Sequence, residues 1–127
     1  MTLVDTSAWI DFFRGRGRLS ADVDDLLRDN RVALCGPIVT EIRRGLRSSA
    51  ERRQVLPLLE GCHFLSSPAN LWDEAGDLGF TLARAGVTAR SMDLLIATYA
   101  LGHGVTLLTR DGDFARMRRA GVPLQLL

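Results

Sequence analysis

Short apolar runs alternate along the chain with stretches in which apolar residues recur at helical spacing. The runs are Met1–Val4, Val32–Cys35, His63–Leu65, Val105–Leu108 and Leu124–Leu127, each of a length that suits a buried strand. Between them Ser7 to Phe13 predicts a short helix carrying Trp9, Ile10, Phe12 and Phe13. Ser20 is placed to cap a helix reaching about Asn30, with Val23, Leu26 and Leu27 inward. Pro37 to Leu46 shows a stripe of Ile38, Val39, Ile42 and Leu46, and Pro suits the first helical position. Ser48 to Leu59 reads as a helix that Pro57 kinks or brings near its end. A long helix is expected from Ser67-Pro68 to Arg84, stopped by Gly86. Asp93 to Leu101 is apolar on nearly every side, so it reads as a buried helix, with Ser91 as its expected cap. Asp113 to Ala120 completes the set. Strand and helix alternate throughout, which is the pattern of a three-layer α/β/α sandwich with a largely parallel central sheet.

Composition narrows the class. A chain of 127 residues with 46% hydrophobic residues fits one compact domain, expected here over residues 1–127, and argues against disorder. No run approaches the roughly 18 apolar residues that span a bilayer. The N-terminus enters a strand without a basic and apolar leader, from which a cytoplasmic protein is expected. Cys35 and Cys62 fit no metal-ligand spacing and read as buried free thiols, and His103, between Gly102 and Gly104, reads as a helix terminus. The net charge is only +1, but all 16 basic residues are Arg. The absence of Lys excludes a phosphate-binding P-loop and Schiff-base chemistry. Arg clusters at Arg14 to Arg18, at Arg43, Arg44 and Arg47, at Arg52 and Arg53, and at Arg116 to Arg119 are solvated faces or bidentate phosphate contacts.

Candidate chemistry lies in the acids. Asp5 follows the first strand and Asp111 the strand Val105–Leu108. Ligands of open parallel sheets bind outside the carboxyl ends of strands, where these two residues converge. Glu41 sits at the margin of its helix's apolar stripe, and Asp93 opens a helix that is otherwise apolar. Each has an ordinary explanation: turn former or cap for Asp5 and Asp111, macrodipole complement for Asp93, a partner among Arg43, Arg44 and Arg47 for Glu41. Their coincidence favours a shared pocket. Carboxylate ligands suit hard cations such as Mg2+ and Mn2+.

Val4-Asp5-Thr6-Ser7, Thr40-Glu41-Ile42 with Gly45-Leu46, Asp93-Leu94-Leu95-Ile96-Ala97 and Leu108-Thr109-Arg110-Asp111-Gly112-Asp113-Phe114, taken in order, resemble the PIN-domain ribonucleases. Within them the chain is most similar to the VapC-type toxins of bacterial toxin-antitoxin pairs. The resemblance implies an endoribonuclease whose Asp5, Glu41, Asp93 and Asp111 bind Mg2+ or Mn2+, with Asp113 a fifth acid. The last acidic position of the family varies between the places of Asp111 and Asp113. Thr6 and Thr109 match hydroxyls that orient the metal shell, and Glu41 or Asp93 would orient the attacking water or take its proton. The implied products are a 5'-phosphate and a 3'-hydroxyl. Arg14, Arg43, Arg44 and Arg110 are candidates for the RNA backbone. The implied partners are an RNA substrate, an antitoxin whose amphipathic segment lies in an apolar groove between Trp9–Phe13 and the helix beginning near Gly36, and a second copy, giving a homodimer and a larger complex with antitoxin; no membrane is implied.

Other classes fit less well. A haloacid-dehalogenase phosphatase needs a second Asp two residues after the first, where this chain has Ser7. A receiver domain needs a Lys. A non-catalytic PIN-like binding module has no need of all the acids.

Overall fold

The computed structural model describes residues 1–127. In chain order the elements are β1 (Thr2–Val4), α1 (Thr6–Phe13), α2 (Ser20–Arg28), β2 (Val32–Leu34), α3 (Gly36–Gly45), α4 (Ser49–Glu60), β3 (His63–Phe64), α5 (Leu71–Arg84), α6 (Ser91–His103), β4 (Thr106–Leu108) and α7 (Gly112–Arg119). The four strands form one parallel sheet in the order β3-β2-β1-β4. Thr2, Leu3 and Val4 of β1 face Thr106, Leu107 and Leu108 of β4 across the ladder, while Thr2 and Leu3 pair on the other side with Val32 and Ala33. The central strands of a parallel sheet are covered on both faces, which is why β1, β2 and β4 are mostly apolar rather than alternating. Leu3, Val4, Ala33, Leu34, Leu107 and Leu108 are all buried.

The strand order decides where a site can form. The chain steps from β1 to β2 to β3 in one direction, then returns past β1 to lay down β4. With right-handed crossovers these opposite directions put helices on both faces, giving the α/β/α sandwich. The reversal leaves a crevice at the carboxyl ends of β1 and β4, the switch point where ligands of such folds bind.

Several boundaries depart from the sequence reading for identifiable reasons. The long helix does not begin at Ser67-Pro68: α5 starts at Leu71, because Asn70 takes a left-handed conformation (φ 59°). The Ser67 hydroxyl instead meets the Tyr99 hydroxyl at 3.0 Å. Ser20 is not the cap of α2 but its first residue; Leu19 precedes it and donates its N–H to Asp11 Oδ2 at 3.3 Å. Ser91 does not cap α6 either, for the N-cap position is Arg90 and no side chain caps there. Leu124–Leu127 does not form a full strand, and pairs with β4 through a single parallel bridge from Leu126 to Leu107. The preceding turn takes up Leu124, whose N–H reaches the Val122 carbonyl at 2.8 Å, and the tail then meets β4 only at Leu107, which donates to the Gln125 carbonyl at 2.8 Å and accepts from the Leu127 N–H at 3.0 Å. The helix containing Pro57 forms as α4 over Ser49–Glu60, with Ser48 accepting from the Glu51 N–H as its cap. Cys62 is half-buried rather than buried, and both cysteines are free.

Candidate active site

The β1–α1 junction builds the first wall. Asp5 continues the ladder past β1, its N–H donating to the Leu108 carbonyl at 2.9 Å, and it then occupies the N-cap position of α1 without using its side chain as a cap. The buried carboxylate is therefore free to turn toward β4. Its Oδ2 accepts from the hydroxyls of Ser7 at 2.9 Å and Thr109 at 2.8 Å. The same hydroxyls accept in turn, Ser7 from the Arg110 N–H at 2.9 Å and Thr109 from the Asp111 N–H at 3.0 Å. Two short side chains thus tie the β1–α1 and β4–α7 loops together around one carboxylate.

The β4–α7 junction supplies the second wall. Asp111 is both a helix cap and more than one: Oδ1 accepts from the Asp113 N–H at 2.9 Å, and Oδ2 faces Arg90 at 3.2 Å. Asp93, in the first turn of α6, is 5% exposed, and its Oδ2 accepts from Arg90 Nε at 3.2 Å. Asp93, Asp111 and Asp113 come together so that a ligand atom from each lies within 4.8 Å of the others. Glu41 enters from α3 and is held by the Thr6 hydroxyl at 2.8 Å rather than by any neighbouring Arg. Of the acids singled out in the sequence, three form the tight group, while Asp5 and Glu41 flank it on hydroxyl tethers.

Electrostatics follow from this crowding. Burial pushes the Asp93 carboxyl above its ordinary value; Arg90 opposes the shift, and the charges of Asp111 and Asp5 add to it. Arg90 is held more firmly protonated, chiefly by the charge of Asp93 and the hydrogen bond to it. Cys35, at the end of β2, is pushed up to about 12 by burial, with Asp5 and Glu41 contributing, so its buried thiol is inert. An all-oxygen set of this kind fits Mg2+ or Mn2+ better than softer ions. The guanidinium drawn onto three carboxylates marks the place as one that calls for positive charge.

Next to the acids, α1 and α3 enclose a groove of about 520 Å3. Trp9, Ile10 and Phe13 line one side, Ile42, Gly45 and Leu46 the other, with Thr6 and Glu41 also in the lining. Arg14 and Arg47 stand at its rim. Arg43 and Arg44 are exposed on α3. Arg110 is differently employed, because its Nη1 pairs at 3.0 Å with Asp11, a residue only 2% exposed.

Two residues near the site escaped the sequence reading. Arg90 stands three positions before Asp93, but in a chain whose 16 basic residues are all Arg, nothing distinguishes it. Asp11 falls on a helix otherwise read for its aromatic content, and the only signal for its burial is its position three residues before an Arg-Gly loop.

Fold and site together define an α/β sandwich with carboxylates gathered at its switch point. The model of the PIN domain matches residues 2–120. VapC ribonuclease Mb1587 of Mycobacterium bovis and Ribonuclease VapC11 of Mycobacterium tuberculosis are each 37% identical to the chain over 119 residues, covering 90% of it and 89% of their own length. The chain therefore belongs to the PIN-domain family, and its relatives there are VapC ribonucleases. Solved structures agree on the fold: VapBC2 from Rickettsia felis, bound to a DNA fragment from its promoter, has a TM-score of 0.77 at 19% identity, covering 99% of this chain and 96% of that one. FitAcB from Neisseria gonorrhoeae has a TM-score of 0.73 at 23% identity, covering 100% and 96%.

Proposed function

We propose that the protein is a divalent-metal-dependent endoribonuclease and the toxin of a toxin-antitoxin pair, with residues 1–127 forming one PIN domain. The observation that carries the reading is the buried Asp5 and Asp93 converging with Asp111 and Asp113 at the switch point. Relatives called ribonucleases at 37% identity support the choice of RNA. Asp93, Asp111 and Asp113 would hold Mg2+ or Mn2+, with Asp5 and Glu41 completing the set directly or through water. When bound, the ion supplies charge stabilisation for displacement at phosphorus and acidifies the attacking water.

The chain's own residues do the rest. Ser7 and Thr109 fix the Asp5 carboxylate by two donated hydrogen bonds, leaving Oδ1 for the site. Thr6 holds Glu41 at the mouth of the groove, where a carboxylate can orient a water or take its proton. The exposed guanidinium groups of Arg14, Arg43 and Arg44 offer bidentate contacts to the RNA backbone. Arg110 contributes to backbone binding only with the donors that its pair with Asp11 leaves free. The α1–α3 groove, with its apolar walls and Arg rim, suits an amphipathic segment of the antitoxin. A homodimer and a cytoplasmic location belong to the same reading.

The test is incubation of structured RNA with the purified chain in Mg2+, Mn2+ and EDTA. Internal cleavage leaving 5'-phosphates, present with either metal and absent in EDTA, is expected. Cleavage that persists in EDTA overturns the metal role, and intact RNA under all three conditions overturns the nuclease. Co-expression with the adjacent reading frame should relieve toxicity and yield a complex; a chain harmless when expressed alone argues against the toxin role.

A further inference from the structure

Arg90 spans more of the acidic site than any other residue. Its Nε lies 3.2 Å from Asp93 Oδ2, and its Nη2 lies 3.2 Å from Asp111 Oδ2 and 3.9 Å from Asp113 Oδ2. These are the side chains whose ligand atoms approach within 4.8 Å of one another. Arg116 also touches the group, but it meets Asp113 alone. We propose that the Arg90 guanidinium is the site's own counter-cation, seated on the oxygens a divalent ion takes, so that metal binding requires it to leave. The inference rests on the reading of these acids as a metal site.

Three physical arguments support the exchange. A Mg2+ ion sits about 2.1 Å from each ligand oxygen, so a guanidinium kept within hydrogen-bonding distance of the same oxygens would crowd it. Guanidinium has donors and no acceptor, so it cannot become a ligand and adds only repulsion. Departure is also easy. The Arg90 side chain is 73% exposed, and ion pairs so open to water contribute little. Arg90 lies outside the helix with an extended backbone (φ −73°, ψ 150°), and no side-chain cap ties α6 to it. Its side chain can swing to solvent while Asp93 stays buried in α6.

The exchange keeps the metal-free protein from carrying Asp93 and Asp111 uncompensated and lowers its affinity for the ion. Removing the guanidinium should therefore move stability and metal affinity in opposite directions, which a merely structural Arg would not do.

The experiment titrates Mn2+ into the full-length wild type, Arg90→Gln, Arg90→Lys and Arg28→Gln, reading free Mn2+ by its paramagnetic signal, with thermal melts in EDTA beside it. Arg90→Gln should bind Mn2+ more tightly than wild type by up to about fivefold and melt lower in EDTA. Arg90→Lys keeps the charge without the fork and should fall between them. Arg28→Gln removes the same charge from a surface pair with Asp24 and should match wild type in Mn2+ affinity. A wild type that binds Mn2+ no more weakly than Arg90→Gln overturns the inference alone. A wild type without a Mn2+ site, or with one that survives Asp93→Asn, overturns the metal reading and this inference with it.

Discussion

Asp93 carries its charge where water hardly reaches it, and burial raises its carboxyl above the ordinary value of 3.8 despite the nearby Arg90. The folded chain therefore holds this proton to higher pH than the unfolded chain. Between the two values stability falls as pH rises; above the folded value the cost is fully present, and below 3.8 it is absent. Metal-free melts should accordingly climb as pH drops through the folded value toward 3.8, before other groups unfold the protein. Asp93→Asn should lose that climb and melt a few degrees higher than wild type at neutral pH, the scale of about 1 kcal/mol in a domain of this size. An unchanged pH slope in the variant would show that the charge is compensated.

Asp11, another buried carboxylate near the site, gives the opposite case. Asp11 is satisfied by Arg110 and the Leu19 N–H. Removing one partner of a buried pair costs more when the orphan is the buried one. Arg110→Ala should thus destabilise by about 3 kcal/mol and Asp11→Ala by less, since Arg110 is 44% exposed and can rehydrate. Urea melts of both variants check the order; the reverse order would mean that Asp11 is not dependent on Arg110. A loss of RNA cleavage in Arg110→Ala has to be judged against this loss of fold.

At the scale of elements, the chain's helices and strands were legible where a local pattern decides them. The apolar stripe of α3, the extent of α4 to within a residue at each end and the buried character of α6 follow from residues adjacent in sequence. Ser67 and Ser91 misled because a Ser before an apolar run is a cap only if its hydroxyl has nothing better to do, and Ser67 meets Tyr99 from a distant helix. Leu124–Leu127 has the composition of a strand, but the Leu124 N–H is spent on the Val122 carbonyl and only one bridge to β4 forms. The segment from Arg14 to Arg18, with Gly15 and Gly17, has the composition of a flexible loop, yet one of its glycines is tightly constrained. Gly17 adopts φ +104°, and a Cβ there would fall 2.5 Å from Asp11 Cγ. Gly17→Ala should therefore destabilise by about 1–3 kcal/mol, measured as a lower urea midpoint with an unchanged slope. A neutral outcome would place the Arg-rich loop outside the folded unit.

For the whole molecule, parallel α/β architecture was readable from alternation alone, while the strand order was not. Periodicity carries no information on which strands are neighbours, and the switch point between β1 and β4 exists only once the order is known. The acids were nevertheless found, since Asp5 and Asp111 stand at strand ends and Glu41 and Asp93 contradict the faces they occupy. Their grouping was not: the tight set is Asp93, Asp111 and Asp113, with Asp5 and Glu41 on hydroxyl tethers. Asp11 matters through a tertiary contact that no spacing announces, and the i, i+3 spacing of Arg90 to Asp93 gives no sign of its reach to Asp111 and Asp113.

The central claim is that these carboxylates hold a divalent ion with which the chain cuts RNA. Its most direct measurement is single-turnover cleavage of one end-labelled structured RNA by wild type and Asp93→Asn in Mn2+, both purified free of contaminating nuclease and shown to be folded by circular dichroism. The account predicts cleavage by wild type and a loss of at least about 100-fold in the variant, the scale on which positioned catalytic groups act. Equal rates for the two proteins would contradict it.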